Sequence, residues 1–276
     1  MKVSSLCLIV VPFCVLSAYA ASIASPVNLG TADTFAVLAG STVTNTGLTD
    51  INGNVGVWPG TAITGFTGFG AGGPGTVTGG AFYVGPGPGV AETAESDLTS
   101  AYNFAAGEAC GSGGNLTGLD LGGLTLTPGV YCYTSSAQLT GTLTLNDQGN
   151  ENAVFVFQIG SALTTGSGAA VDFINSGGGA GADVFWQIGS SATLGTGTAF
   201  AGNILALSSI TLDTGASIDC GSALASNGAV TLDDNTVSAG CEATTTTTTT
   251  TPEPGTATLL GIGLLLSLIA YGKTGS

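Results

Sequence analysis

Apolar and polar residues alternate in short phrases that recur along residues 189–236. Three of these phrases are closely similar: Ser191-Ala-Thr-Leu194, Ser209-Ile-Thr-Leu212 and Gly228-Ala-Val-Thr-Leu232. A repeat of about twenty residues is typical of a solenoid, in which each coil buries its apolar side only by stacking on its neighbours. Side chains alternate across a strand, so the apolar residues would point inward and the threonines outward, in a column with a spacing of about 4.8 Å. The three threonines are Thr193, Thr211 and Thr231.

Other stretches extend this pattern. Leu139-Thr-Gly-Thr-Leu-Thr-Leu145 alternates along its length, with every threonine predicted to point outward, and residues 163–168 supply a rung with Thr164 in the Thr193 position. Near the N terminus, residues 41–47 echo residues 209–215, with the opening serine and the closing Asn/Asp-Thr-Gly in register. The N-terminal part therefore resembles the C-terminal coils, and we expect an insertion between them.

The insertion covers residues 59–115. Its first part is rich in Gly and Pro, which predicts a loop or cap. Residues 91–106 then lack glycine and predict a helix, whose N-terminal end Glu92 and Glu95 would suit electrostatically. A lone amphipathic helix must pack on something, so we place it over the nearly continuous apolar runs 153–159 and 182–188. Its predicted apolar face consists of Ala91, Ala94, Leu98, Ala101, Tyr102 and Ala105.

Charge narrows the possible functions. The chain has no His, its only basic residues are Lys2 and Lys273, and its formal net charge is −15. Nucleic acid and anionic lipid are excluded as partners because no basic side chain is available between the two ends. Catalysis is not expected either, because there is no histidine base and no nucleophile motif, and the neighbouring Asp233 and Asp234 would point to opposite faces of one strand. No cofactor is implied.

Two aspartates follow successive threonine phrases. Asp213 and Asp233 would stack on each other at the edge of the threonine column. One interpretation is that they are solvated acids that discourage edge pairing. The other is that they bind Ca²⁺ together with Asp234.

Both ends carry export signals. Residues 1–20 read as a signal peptide with a basic start, an apolar core and an Ala-x-Ala cleavage site, so a secreted or surface-anchored domain would cover residues 21–243. Residues 244–251 are an unbroken threonine linker. In residues 252–276, Pro252-Glu-Pro254, an apolar span and Lys273 resemble a PEP-CTERM sorting signal of exported bacterial proteins. The apolar run is shorter than the roughly 20 residues of a standard membrane span, so membrane contact would be through this tail alone.

Cysteine usage agrees with an oxidising compartment. Cys7 and Cys14 would leave with the signal peptide. The remaining four cysteines allow three pairings, of which the local ones are favoured, while a zinc site lacks both CxxC spacing and histidine. The favoured pairs are Cys110–Cys132 and Cys220–Cys241.

Several motifs together resemble the microbial ice-binding (antifreeze) family. They are Leu29-Gly-Thr-Ala-Asp-Thr-Phe-Ala-Val-Leu38, Asn52-Gly-Asn-Val-Gly56, Asp97-Leu-Thr-Ser-Ala-Tyr102, residues 124–131, Val184-Phe-Trp-Gln-Ile-Gly189 and Gly202-Asn-Ile-Leu-Ala206. The resemblance implies a mainly β fold, a right-handed discontinuous triangular β-solenoid with one long α-helix alongside. It also implies a flat face that adsorbs to ice, often with Thr-Ala/Gly-x-Thr/Asn motifs, which Thr46-Gly-Leu-Thr49 and Thr61-Ala-Ile-Thr64 match.

The physical argument points the same way. Ice presents ordered, uncharged water, so a rigid neutral face with hydroxyl and methyl groups at regular intervals would complement it. The candidate ice-contacting residues are Thr42, Thr44, Thr46, Thr49, Thr140, Thr142, Thr144, Thr164, Thr193, Thr196, Thr211, Thr214 and Thr231. The alternative function is a surface or matrix adhesin that binds exopolysaccharide. The expected partner is therefore ice, with polysaccharide as the alternative.

Overall fold

The computed structural model describes residues 23–85, 89–176 and 183–240. The predicted signal peptide (1–20), threonine linker (244–251) and sorting tail (252–276) lie outside these residues, as do Cys7, Cys14 and Cys241. Within the described residues, no helix is both long enough and apolar enough to cross a membrane.

The chain folds into short strands, one helix and one 3₁₀ turn at Gly30–Thr34 within the described ranges. The helix is α1 (Val90–Gly107). The strands are β1 (Phe35–Ala39), β2 (Thr42–Asn45), β3 (Asp50–Asn52), β4 (Asn54–Val57), β5 (Ala62–Thr64), β6 (Thr76–Thr78), β7 (Phe82–Val84), β8 (Thr125–Leu126), β9 (Gly129–Tyr133), β10 (Ala137–Leu139), β11 (Thr142–Asn146), β12 (Phe155–Ile159), β13 (Leu163–Thr165), β14 (Ala170–Ile174), β15 (Val184–Ile188), β16 (Ala192–Leu194), β17 (Ala199–Ala201), β18 (Asn203–Ala206), β19 (Ile210–Leu212), β20 (Ser217–Asp219), β21 (Ala223–Ala225), β22 (Val230–Leu232) and β23 (Thr236–Ser238).

Three parallel sheets form the sides of a solenoid. Sheet A has the order β7-β4-β1-β21-β18-β15-β12-β9, sheet B the order β10-β13-β16-β19-β22-β2-β5, and sheet C the order β6-β3-β23-β20-β17-β14-β11-β8. Successive strands along the chain, such as β18, β19 and β20, go to different sheets, so one coil of about twenty residues contributes one strand to each side. Apolar residues from all three sheets form one core cluster. The predicted mainly β solenoid is confirmed.

The solenoid is discontinuous in sequence. Strands β1, β2 and β3 pair in parallel with β21, β22 and β23 on one side and with β4, β5 and β6 on the other. The first coil of the chain therefore stacks directly on the last described coil. This confirms the expected insertion between two similar parts.

The glycine-rich start of the insertion is not simply a loop. Residues 62–84 contain β5, β6 and β7, which add a further coil to one end of the solenoid. The prediction of a loop was wrong here, because three-residue strands are short enough to lie between closely spaced glycines. The position of this coil at one end of the solenoid agrees with the alternative of a cap. Gly65 and Gly79 turn the chain between them with φ values of +87° and +65°.

Helix α1 covers sheet A. It spans Val90–Gly107, one residue beyond the predicted range at each end. Its predicted apolar face is buried, apart from the half-buried Tyr102, against outward-facing residues of sheet A. This second core cluster includes Leu98 on the helix and Val156, Phe185 and Leu205 on the sheet. The predicted docking of the helix over residues 153–159 and 182–188 is confirmed.

The region just after α1 is fixed by a disulfide. Cys110 and Cys132 are bonded to each other, as predicted, which ties this region to β9 in sheet A. Closing a loop of this length contributes about 3 kcal/mol in the chain-entropy account. Cys220 is also disulfide-bonded. Its predicted partner, Cys241, lies outside the described residues, so the second pair remains a prediction.

Candidate functional site

The three sheets differ in what they present on their outer sides. Sheet A is covered by α1, and the residues of β1, β15 and β18 are all buried. Sheets B and C do not lie under the helix cluster, and their strands carry partly or fully exposed side chains. The search for a binding face therefore concerns these two sides of the solenoid.

Sheet B carries one column of threonines, which we call the threonine column. Parallel pairing places one outward residue of each strand directly opposite the next. The apolar residues on either side of these positions, such as Ile210 and Leu212, are fully buried. The predicted stacking of the threonines of β13, β16, β19 and β22 is confirmed. In order along the sheet, the column is Gln138, Thr164, Thr193, Thr211, Thr231, Thr44 and Thr64.

Small side chains flank the column on the side where the strands begin. Thr42 lies opposite Ala62 in the next strand. Ser191 Oγ accepts a hydrogen bond from the Ser209 backbone N–H at 3.3 Å, and Ser209 Oγ accepts one from the Ala229 N–H at 3.2 Å. All of these side chains are short, and the two serine hydroxyls are hydrogen-bonded to the next coil. The surface of sheet B beside the column therefore carries short side chains that project little from the sheet.

On the other margin of the column, in the turns from sheet B to sheet C, threonine hydroxyls donate hydrogen bonds to aspartate carboxylates. Thr46 Oγ1 donates to Asp233 Oδ1 at 3.0 Å, and Thr214 Oγ1 donates to Asp233 Oδ2 at 2.5 Å. Thr140 Oγ1 donates in the same way to Asp120. Burial alone would raise the pKa of Asp120, but hydrogen bonds from the Thr140 side chain and from backbone N–H groups outweigh it and lower that pKa. These threonine hydroxyls therefore already have acceptors at the edge of the sheet.

The stacked aspartates lie where sheet B ends. Asp213 and Asp233 directly follow β19 and β22, in agreement with the edge interpretation. The alternative was a Ca²⁺ site with Asp234. Among the residues that the structure describes, no group of three or more Asp, Glu, Cys or His side chains is placed to hold a metal ion.

Four predicted surface residues are placed differently from expectation. Thr49 is 1% exposed and donates its hydroxyl to Asn45 Oδ1 at 2.6 Å, so its assignment to an outward face was wrong. The alternation over residues 139–145 does not lie on one face, because Gly141 (φ +90°) turns the chain from β10 to β11. Thr142 and Thr144 consequently belong to sheet C, away from the threonine column. Thr196 lies in an exposed turn between β16 and β17.

The column also contains residues that were not among the candidates. Thr64 extends it beyond Thr44, and Gln138 begins it at the opposite end. The signal for Thr64 was available in Ala62-Ile-Thr64, which repeats the apolar–threonine phrase of the other coils. Gln138 could be found only from its pairing with Thr164, because glutamine breaks the phrase.

Sheet C presents acids among its outward residues. Thr144 lies opposite Asp172, Thr236 opposite Asp50, and Ala201 opposite Asp219. The side chains of Asp50, Asp172 and Asp219 are exposed. Carboxylates are strongly hydrated, so sheet C lacks the uniform neutral character of the threonine column.

The chain is similar to proteins that are named for ice binding. Residues 37–238 match the family described as ice-binding-like. The chain is 49% identical over 254 residues to an ice-binding protein from Nostoc sp. (strain HG1), an alignment that covers 92% of this chain and 89% of that protein. It is 36% identical over 222 residues to an ice-binding protein from Flavobacterium frigoris (strain PS1), covering 77% of this chain and 76% of the relative.

Solved structures of ice-binding proteins share the fold of this chain. The crystal structure of an ice-binding protein from an Antarctic biological consortium superposes with a TM-score of 0.72 at 43% identity, covering 79% of this chain and 92% of the other. That of an ice-binding protein from the Antarctic ascomycete Antarctomyces psychrotrophicus gives a TM-score of 0.70 at 36% identity, covering 78% and 98%. Together with its threonine column and its discontinuous solenoid, these similarities place the chain in the ice-binding-like family.

Proposed function

We propose that the protein binds ice through the outer face of sheet B and thereby inhibits ice growth and recrystallisation. The observation that carries this proposal is the threonine column, in which six threonines on adjoining strands form an unbroken row with a spacing of about 4.8 Å. The relatives named as ice-binding proteins support the same activity. Protein molecules that are adsorbed on an ice surface hinder the further growth of that surface.

The chemistry of the column suits a neutral, ordered ligand. Threonine is β-branched and restricted at χ1, so its methyl and hydroxyl groups are held in defined positions. The strands beneath are anchored by fully buried residues such as Val230 and Leu232. No charged residue lies in the column itself. An array of this kind can hold water in a regular arrangement without competing charges.

The test compares two threonines of one coil. Thr231 lies in the threonine column, and Thr236 is five residues further on, exposed on the outer side of sheet C. Thr231→Tyr should remove most of the thermal hysteresis and the faceting of ice crystals, because a bulky ring holds the face away from ice. Thr236→Tyr is the matched control and should leave both unchanged.

Circular dichroism and the thermal midpoint check that both variants fold like the parent. Loss of hysteresis only with Thr236→Tyr would move the binding face to sheet C. Rounded, freely growing crystals with the unaltered protein would overturn ice binding altogether.

We also propose that the mature protein is exported. The domain would cover residues 21–243, with residues 1–20 removed and residues 244–276 serving as linker and sorting tail, through which alone it would meet a membrane. It would have no catalytic activity. The relatives, named as ice-binding proteins, lend no support to the alternative of polysaccharide adhesion.

A further inference from the structure

A groove runs beside α1 on the side where sheet A turns into sheet B. Its cavity volume is about 610 Å³, enough for an organic molecule. One wall comes from α1, and the other from the residues that follow β4, β18 and β21, among them Trp58, Leu207 and Asn227. None of the groove residues belongs to the threonine column, so the groove has no part in the proposed ice-binding face.

Glu95 is the unusual residue of this groove. It lines the cavity, yet its side chain belongs to the buried face of α1 and is only 5% exposed. Its Oε1 atom is buried without a hydrogen-bond partner. Burial raises the pKa of Glu95 from 4.5 to about 8, because the charged form is poorly solvated there. A carboxyl group buried in this way is stable when it is protonated, or when its charged form is paired with a cation.

No basic side chain lies among the residues that the structure describes. Lys2 and Lys273, at the two ends of the chain, are its only basic residues, and there is no histidine. Glu92, one turn before Glu95 on the same helix, adds a second carboxylate to the groove. The other titratable side chain in the lining is Tyr102, and the wall opposite α1 contributes none. With a net charge of −15, the molecule as a whole also attracts positive ligands.

Two aromatic rings indicate what kind of cation would fit. Trp58 and Tyr102 line the groove together with the two glutamates. Aromatic faces bind organic cations and their carbon chains, and carboxylates accept hydrogen bonds from ammonium groups. We propose that this groove binds a small organic ammonium ion, whose N–H groups donate to Glu95 and Glu92 while its carbon chain lies against Trp58 and Tyr102.

Calorimetry with putrescine, a diamine, tests this proposal on the full chain at pH 7. The matched probe is 1,4-butanediol, which has the same carbon chain but no charge, and it should not bind measurably. Glu95 is protonated at pH 7 and would ionise beside the ammonium ion, so binding should release roughly one proton. Titrations in two buffers with different ionisation heats measure this proton. The release should shrink as the pH is raised from 7 to about 8.5, because Glu95 is then increasingly ionised before binding while both ammonium groups of putrescine stay charged.

Two variants locate the site. Glu95→Gln keeps the shape of the side chain and should weaken putrescine binding by about thirtyfold or more, with loss of the proton release. Glu92→Gln, at a more exposed position, should weaken binding by only about two- to fivefold and keep the proton release. If Glu95→Gln fails to fold, the proton release of the unaltered protein and the effect of Glu92→Gln decide whether the groove is the binding site.

Three results would overturn the proposal. The first is that putrescine does not bind the unaltered protein. The second is that the diol binds as tightly as the diamine, which would indicate a site for neutral polyols. The third is that a folded Glu95→Gln variant binds putrescine as well as the parent, which would place the cation elsewhere on the acidic surface.

Discussion

At the scale of single residues, Asn45 replaces an inward-facing leucine of the solenoid. It lies opposite Leu232 in the ladder and is only 4% exposed. Its Nδ2 donates to the carbonyl oxygens of Gly47 and Gly65, each at 2.8 Å, and its Oδ1 accepts from Thr49 Oγ1. An unpaired buried polar group costs about 1–3 kcal/mol, so this asparagine is tolerated because its groups are bonded.

A stability prediction follows for Thr49. Its Oγ1 donates to Asn45 and accepts from the Asn235 backbone N–H at 3.1 Å. Thr49→Val keeps the shape and removes both bonds, so the free energy of unfolding should fall by about 2–4 kcal/mol. Thermal hysteresis of the folded variant should be unchanged, because Thr49 is buried. Urea denaturation and hysteresis on the same sample measure the two effects.

The control for this prediction is Thr76→Val. Thr76 is exposed on sheet C and donates its hydroxyl to Asp50 at 2.9 Å. Its replacement should cost less than about 1 kcal/mol. Equal losses of stability in the two variants would contradict the role assigned to the buried hydroxyl of Thr49.

At the scale of elements, the solenoid depends on neighbours for every strand. Many strands have only three residues, too few to persist alone, and each is held by parallel partners and by a buried inner face. Sheet A is buried on its outer side as well, by α1. Its strands accordingly read as continuous apolar runs, such as Phe155–Ile159, whereas the strands of sheet B alternate.

The docking of α1 can be tested at Leu98. This residue is fully buried at the centre of the helix cluster. Leu98→Ala should lower the free energy of unfolding by about 2–5 kcal/mol, since it leaves a cavity between α1 and sheet A. Ser100→Ala, at an exposed position of the same helix, should change it by less than about 0.5 kcal/mol. Thermal denaturation measures both, and a Leu98→Ala variant as stable as the parent would contradict the packing.

At the scale of the whole molecule, stacking gives each side of the solenoid its own character. Sheet A is covered by a helix, sheet B presents a neutral column, and sheet C presents exposed aspartates. The column continues from Thr231 to Thr44 although these residues are far apart along the chain, because the first coil stacks on the last described one. The discontinuous topology therefore produces a continuous face.

Continuity of the face predicts a dependence on position. Thr211 is the fourth of the seven positions in the column, and Thr64 is the last. Thr211→Tyr divides the column into two short segments and should remove most of the thermal hysteresis. Thr64→Tyr leaves six neighbouring positions intact and should remove less than half. Equal effects of the two variants would show that the contact does not depend on an unbroken row.

The sequence by itself determined the elements that depend on local periodicity. The threonine phrases predicted the stacking of Thr164, Thr193, Thr211 and Thr231, and the apolar period over residues 91–106 predicted α1 to within one residue at each end. The similarity between the N-terminal and C-terminal coils predicted the insertion. These features follow from which residues alternate or recur, because the periods of strand and helix are properties of the backbone.

Only the tertiary structure decided the register of the strands and the positions at which the chain turns from one sheet to the next. The sequence match of residues 41–47 to 209–215 would pair Val43 with Thr211, but the ladder aligns Thr44 with that row, because Asn45 takes an inward position through its own hydrogen bonds. The turn at Gly141 sends Thr142 to another sheet. A shift of one residue exchanges the two faces of a strand, and the energy that selects between them comes from neighbouring coils rather than from the strand itself.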